Sequence, residues 1–288
     1  RGASWTQLRF PGVHAQADPG RVAITMAGTG EQVTFGELDA ISNRLARTFR
    51  SLGLEAGGHV ATCMENRVEV LEVAGGAHYA GLHYTFISTR LTPDEAAFII
   101  GDSGSKVVVL TPQLGRVLMP ALAGLVDDDV TFVSIGGEVD GADDLMALAA
   151  ERSPDPIPDA TEGADMLYSS GTTGRPKGVL RALSGEPLGT TAGLALLGEF
   201  LMGMSPESVY LSPAPMYHAA PLKWSLESLA LGASVVLMER FEPEALLSAI
   251  ETHGVTHGQF VPTMFVRMLK LPEEVRNRYD VSSLQAII

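Results

Sequence analysis

Cysteine is nearly absent: Cys63 is the only one in 288 residues, so no disulfide can form within the chain. That usage suits a reducing cytosol. Its place in the apolar stretch His59–Met64 favours a small buried hydrophobe over a catalytic thiol. Positive charge is also scarce. Lys and Arg number 20 against 34 Asp and Glu, a net charge of −14. Nucleic acid and anionic membranes repel such a chain, which leaves room only for a local basic pocket around a small polyphosphate. Long apolar runs are missing too. None reaches the roughly 20 residues that span a bilayer. The most apolar helix candidate, Gly189–Met204, is interrupted by Gly193, Gly198 and Glu199. Residues 1–20 hold Arg1, Arg9, Pro11 and His14 but no apolar h-region, so no secretory signal is expected. These exclusions leave a cytoplasmic protein without a transmembrane segment or a nucleic-acid partner.

What is present is ordinary for a globular chain: 45% hydrophobic and 19% charged residues. The length suffices to bury about three quarters of the unfolded surface. Ala23–Met26 and Gln32–Phe35 flank Gly28-Thr29-Gly30 and predict a hairpin. Thr34-Phe35-Gly36-Glu37 is a capping box, and Leu38, Ile41, Leu45 and Phe49 continue at helical spacing to a C-cap at Gly53. Strands are expected at Val60–Met64, Tyr84–Ser88, Val107–Leu110 and Val130–Ile135. Helices are expected between them at about Val68–Ala80, from Pro93 to Gly101 and before Gly124, and then at Asp143–Glu151. This alternation predicts parallel βαβ units. Ser153–Pro158, with alternate prolines, reads as an extended linker. Beyond it, strands near Met166–Ser169, Val209–Leu211 and Ser234–Leu237 alternate with helices near Gly189–Met204, Leu222–Leu231, Pro243–His253 and Pro262–Leu269.

The most informative segment is Tyr168 to Val179. From Ser169, ten positions hold four hydroxyl residues, three glycines and one lysine. Glycines let backbone N–H groups converge on an anion, hydroxyls donate to phosphate oxygens or bind a metal ion, and Lys177 adds a mobile charge. The string is not a Walker A loop, because Arg175 and Pro176 separate Gly174 from Lys177 and Gly178 follows the lysine. It requires a different phosphate-loop design.

Residues 169–178 match the signature [ST]-[SG]-G-[ST]-T-G-x-P-K-G throughout, and the chain resembles the adenylate-forming superfamily, in particular fatty-acyl-CoA synthetases. That superfamily includes acyl- and aryl-CoA synthetases, peptide-synthetase adenylation domains and luciferases. Further matching segments are Glu65–Glu69, Asp102–Val108, Leu211–His218 and Val261–Met264. Phe86–Glu95 also corresponds, with Phe86 and Ser88 in place of the usual Pro and Asn. The resemblance implies that Ser169, Ser170, Gly171, Thr172, Thr173 and Gly174 close over the β- and γ-phosphates of ATP. It further implies that Thr172 ligates Mg²⁺ and that Lys177 neutralises phosphate charge. His218 would flank the acid substrate and the α-phosphate, without acting as a general base. The implied fold is α/β: two packed αβ lobes of βαβ sheets flanked by helices, covering residues 58–205 and 1–57 plus 206–288, truncated before a β-barrel and C-terminal lid. The implied reaction activates a hydrophobic carboxylic acid to acyl-AMP and then, with coenzyme A, to acyl-CoA.

Met202, Met204, Met216, Met264 and Met268 are candidates for lining an acid pocket or for core packing. No Asp occurs between Leu211 and Arg240 to hold an amine, which favours a hydrophobic acid over an amino acid. Asp127-Asp128-Asp129 reads as a solvated turn, and His253 with His257 lacks the glutamate of a zinc helix. Y-G-x-[ST]-E, T-G-D and lid-lysine motifs are absent from these residues. The chain starts without Met and stops on Ile287–Ile288 in an apparent strand, so truncation is expected, with residues 1–288 alone inactive. Two alternatives stand beside this reading: an adenylation module loading an acyl carrier protein, and a non-catalytic nucleotide-binding scaffold. A homodimer is compatible with the sequence.

Overall fold

Short apolar runs rich in β-branched residues set most of the strands, and helices carry the chain between most parallel neighbours. The computed structural model describes residues 8–169, 176–190 and 193–288. Contacts divide the chain into two units, Asp39–Glu65 with Glu69–Thr191, and Arg1–Leu38 with Asn66–Val68 and Ala192–Ile288.

In the first of these, six strands form a parallel sheet in the order Asp143–Asp144, Thr131–Ser134, Val107–Leu110, His59–Cys63, His83–Phe86 and Ala164–Asp165. Val107–Leu110 and His83–Phe86 are buried along their whole length, as parallel strands covered on both faces must be. Ile99, Ile100, Val108, Leu110, Leu118 and Leu122 share one core cluster. Pro93–Ser103 starts on a complete capping box: the Thr92 hydroxyl accepts from the Glu95 amide while the Glu95 carboxylate accepts from the Thr92 amide. Helix Val68–Tyr79 packs on the middle of helix Phe35–Ser51 at Gly76, where an added Cβ would collide with the Leu45 Cβ. Only glycine permits that approach.

The other unit carries a second six-stranded sheet, ordered Ala286–Ile287, His257–Gly258, Val209–Ser212, Ser234–Leu237, Val22–Met26 and Gln32–Thr34. All neighbours run parallel except the hairpin pair Val22–Met26 and Gln32–Thr34. Helices Ala219–Leu231, Pro243–His253 and Pro262–Leu269 connect the strands, and Leu211, Val236, Leu246, Ile250 and Met264 fill the core beneath them.

The α/β class and the parallel sheets therefore follow the sequence expectation, but several limits differ. The strand expected at Tyr84–Ser88 is His83–Phe86. The helix expected from Asp143 is preceded by a short edge strand and spans Leu145–Ala150, because the Asp144 carboxylate caps the Met146 and Ala147 amides. The apolar helix covers only Ala195–Met202, after Gly193 at φ +43°. The contact division also departs from the expected lobes of 58–205 and 1–57 plus 206–288. Residues 39–57 group with the first sheet because Arg44, Arg47 and Arg50 form a ladder along one helix face. They bond Ala150 O, Arg152 O, Asp155 O, Pro156 O and the Asp159 carboxylate. The Pro-rich stretch is thus a strap tied to that helix. Residues 192–205 group with the second sheet, where the Glu227 carboxylate accepts from the Leu194 and Ala195 amides and His257 Nε2 meets Met202 O at 2.9 Å.

Candidate active site

The glycine-rich motif closes on a β-hairpin stem. Leu167–Ser169 and Lys177–Val179 pair antiparallel, with Ser169 opposite Lys177, Tyr168 opposite Gly178 and Leu167 opposite Val179. The first residue of the signature and its lysine are cross-strand partners; the sequence predicts a strand only as far as Ser169. Both side chains at this base are exposed. Among the described residues no carboxylate pairs with Lys177. Ser170, Gly171, Thr172, Thr173 and Gly174, expected to hold phosphate and metal, lie outside the described residues.

The stem is buttressed in a way the sequence did not disclose. The Tyr168 hydroxyl donates to the Asp102 carboxylate on helix Pro93–Ser103 at 2.6 Å. Burial first, and then this carboxylate, push the phenol above its usual range. The ring lies across Gly178, where an added Cβ would stand 2.8 Å from Tyr168 Cζ and 2.7 Å from Met166 Cε. One residue earlier, the Met166 amide donates to Tyr84 O and the buried Thr85 hydroxyl donates to Met166 O, which roots the hairpin in strand His83–Phe86. Asp102 had been read as part of a matching segment. Its partner becomes visible only in three dimensions.

His218 is the exposed N-cap of helix Ala219–Leu231 and follows strand Val209–Ser212 by a Pro-rich turn. Its amide donates to Pro215 O at 3.1 Å, and its ring tilts 53° against Tyr217 with centroids 4.5 Å apart. The methionines expected near an acid pocket divide. Met204, Met216 and Met264 are at most 6% exposed and pack as core, whereas Met202 and Met268 are half-buried. A separate cleft of about 420 Å³ near Gly28, Glu239, Arg240 and His253 contains none of the expected site residues.

Among the described residues no group of three or more His, Cys, Asp or Glu is placed to hold a metal ion. Asp127 and Asp129 surround Lys106 on the surface, and both ring nitrogens of His257 are engaged. Cys63 is buried, and burial followed by the Glu65 charge pushes its thiol up to about 12, so it stays protonated and inert.

The family model for AMP-binding enzymes matches residues 13–288, and the chain belongs to that family. It is 33% identical over 278 residues to 4-coumarate–CoA ligase 5 of Oryza sativa subsp. japonica, covering 93% of this chain and 49% of that protein. It is 29% identical over 263 residues to the long-chain-fatty-acid–CoA ligase FadD13 of Mycobacterium tuberculosis, covering 90% and 50%. The inhibitor-bound N-terminal domain of FACL13 from Mycobacterium tuberculosis superposes with a TM-score of 0.78 at 25% identity, covering 98% of this chain and 69% of that one. The chain spans about half the length of the curated relatives it matches. Among the described residues no helix is long and apolar enough to cross a membrane.

Proposed function

We propose that this chain carries the ATP-binding portion of an AMP-forming acid–thiol ligase acting on a hydrophobic carboxylic acid. The observation that carries the reading is the hairpin: the family signature spans 169–178, and its Ser169 and Lys177 are cross-strand partners at the stem. The physical obstacle to the first step is repulsion between a carboxylate and a polyphosphate. Lys177, together with donors from the loop, offsets that charge where it develops on the α- to γ-phosphates. Attack of the carboxylate at the α-phosphorus yields acyl-AMP and pyrophosphate. Attack of the coenzyme A thiol on the acyl carbonyl then expels AMP.

Magnesium would enter this site with the nucleotide rather than in a protein cage, since the described groups at the stem are one hydroxyl and one ammonium and offer a hard cation no carboxylate. When bound it would neutralise phosphate charge. Thr172 is the residue that would touch it. On this reading His218 would donate to a carboxylate or acyl-adenylate oxygen; its exposure at a helix N-cap beside Tyr217 is compatible with that role.

The named relatives act on 4-coumarate and on long-chain fatty acids, so the acid proposed here is fatty or arylpropenoic, with fatty acids as first choice. Their names also favour coenzyme A over a carrier protein as acceptor. Since the ribose, shared-Mg²⁺ and lid-lysine motifs do not occur in these 288 residues, the chain by itself is not expected to form acyl-adenylate. The test is mass spectrometry of products from the complete enzyme containing this chain, given ATP, Mg²⁺, coenzyme A and a library of fatty and aryl acids. Acyl-CoA and AMP are expected. Acyl transfer only to a carrier protein, or nucleotide binding without products, overturns the reading.

A further inference from the structure

We infer that Asn66 is a positioning residue for the Pro213–His218 turn, a role that rests on the acid-binding reading of His218. Its carboxamide makes three hydrogen bonds, using both N–H donors and the oxygen. Nδ2 donates to Ala214 O and to Met238 O, both at 2.9 Å, and Oδ1 accepts from the Met216 amide at 2.9 Å. Two carbonyls on one side and an N–H on the other leave a single orientation for the amide.

The three partners are not scattered. Ala214 follows strand Val209–Ser212 and Met238 follows strand Ser234–Leu237, which are parallel neighbours with Ser212 opposite Leu237. Asn66 therefore ties the carboxyl ends of two central strands to each other and to the first residues of the turn. Ligands of open α/β sheets gather at this end of the strands. From Met216 the order propagates by short links: Met216 is buried, the preceding carbonyl at Pro215 accepts the His218 amide, and His218 begins the helix. The site residue lies two positions beyond the Met216 amide that Asn66 holds. Ala214 and Met238 are themselves buried, so loss of Asn66 leaves their carbonyls short of a donor.

The side-chain type follows from this arrangement. Aspartate keeps the shape but turns a carboxylate toward two carbonyl oxygens. Alanine removes all three bonds without adding charge.

The test compares Asn66→Asp and Asn66→Ala with Leu246→Ala, a truncation in the buried core cluster that also holds Ala214 and Met238, which removes none of the Asn66 hydrogen bonds. Two readouts are taken in the complete enzyme: amide hydrogen exchange at Met216 and His218 relative to global exchange, and the KM values for acid and for ATP. A positioning role predicts selective exchange at Met216 and His218. It also predicts an acid KM raised about tenfold or more with the ATP KM nearly unchanged, the scale on which small misplacements act. Leu246→Ala, matched in Tm loss, shows neither effect. The inference is overturned if the Asn66 variants exchange no faster than Leu246→Ala at those amides, or keep the wild-type acid KM. Wild-type protein that turns over no acid would sink the acid-binding reading instead, and the exchange arm would still decide whether Asn66 holds the turn.

Discussion

The hairpin of Leu167–Ser169 and Lys177–Val179 and the His218 turn are held by different means. The hairpin pairs locally, with its strands eight residues apart at Ser169 and Lys177, and a tyrosine of its own base reaches Asp102 on a helix 66 positions away. The turn is held from 150 positions away, by one carboxamide that no spacing rule connects to it. The hairpin advertises its chemistry, since glycines, hydroxyls and a lysine in one string have few other uses. The turn advertises almost nothing, because a lone His after prolines fits many structures. A site can be legible in its reactive groups and silent about the groups that aim them.

Lys177→Ala is the change with the largest expected effect. If Lys177 offsets phosphate charge as proposed, its removal should lower kcat for acyl-AMP formation by about 100- to 1000-fold, the usual loss for one electrostatic donor. His218→Ala should cost about tenfold, near one hydrogen bond, and should fall mainly on the acid KM. Steady-state kinetics of pyrophosphate release separates the two. Equal losses on the same parameter would erase the distinction drawn between hairpin and turn.

Gly178→Ala probes the stem. The new methyl meets Tyr168 and Met166 at distances no Cβ tolerates, so either the ring or the strand must move. Overpacking of this kind costs about 1–3 kcal/mol, and the displaced Lys177 lowers kcat by about tenfold. Tyr168→Ala in the same protein removes the ring side of the clash and leaves only the flexible Met166 end to give way, so the double variant should lose less than the sum of the single losses. Strict additivity would show that the tyrosine does not bear on the hairpin.

Much of the fold was legible for identifiable reasons. Thr34-Phe35-Gly36-Glu37 announced a helix, and the Thr34 and Glu37 bonds that make the box are present. Pro243–His253 and Pro262–Leu269 begin at prolines and were placed residue for residue. What escaped depends on contacts distant in sequence. Lys177–Val179 is three residues long and β-prone only at Val179, so its strand state comes from pairing with Leu167–Ser169. The grouping of residues 39–57 with the first sheet depends on arginines reaching backbone carbonyls about 106–109 positions away. Tyr168 was part of the quoted motif, but its use required knowing that Asp102 ends a helix beside it.

The two units should also differ in their response to acid. His59 and His83 stack at 4.6 Å with a 30° tilt, and His78 lies near Glu162 and Asp165, the latter bonded by Arg181. Burial lowers all three pKa values. For His59 the His83 charge adds to this, while Asp165 partly offsets it at His83 and Glu162 and Asp165 partly offset it at His78. A folded pKa below the ordinary 6.5 means that the unfolded chain takes up the proton first. Stability is therefore full above pH 6.5 and is lost as pH falls from there toward the folded values. The Pro213–His218 unit holds two such histidines, His14 and His253. Protection factors, taken relative to the intrinsic exchange rate at each pH, should fall more between pH 7 and pH 5 in residues 39–65 and 69–191 than in the other unit, and His59→Asn should narrow the gap. An equal fall in both units, unchanged by that substitution, would count against the histidine cluster as the cause.

The smallest expected effect tests how far back the hairpin's support extends. Asp102 sits near the end of helix Pro93–Ser103, whose start depends on the Thr92 and Glu95 box. Thr92→Ala removes the hydroxyl that accepts the Glu95 amide and should cost about 1 kcal/mol of stability. Fraying at a helix start does not reach its last turn, because each later amide keeps its own partner four residues back. The bond from Tyr168 to Asp102 should therefore survive, and kcat should stay at the wild-type value while Tm falls. A loss of kcat in proportion to that of Gly178→Ala would mean that the hairpin is held by the whole helix rather than by its final turn. The support would then be as long-range as the one that holds His218.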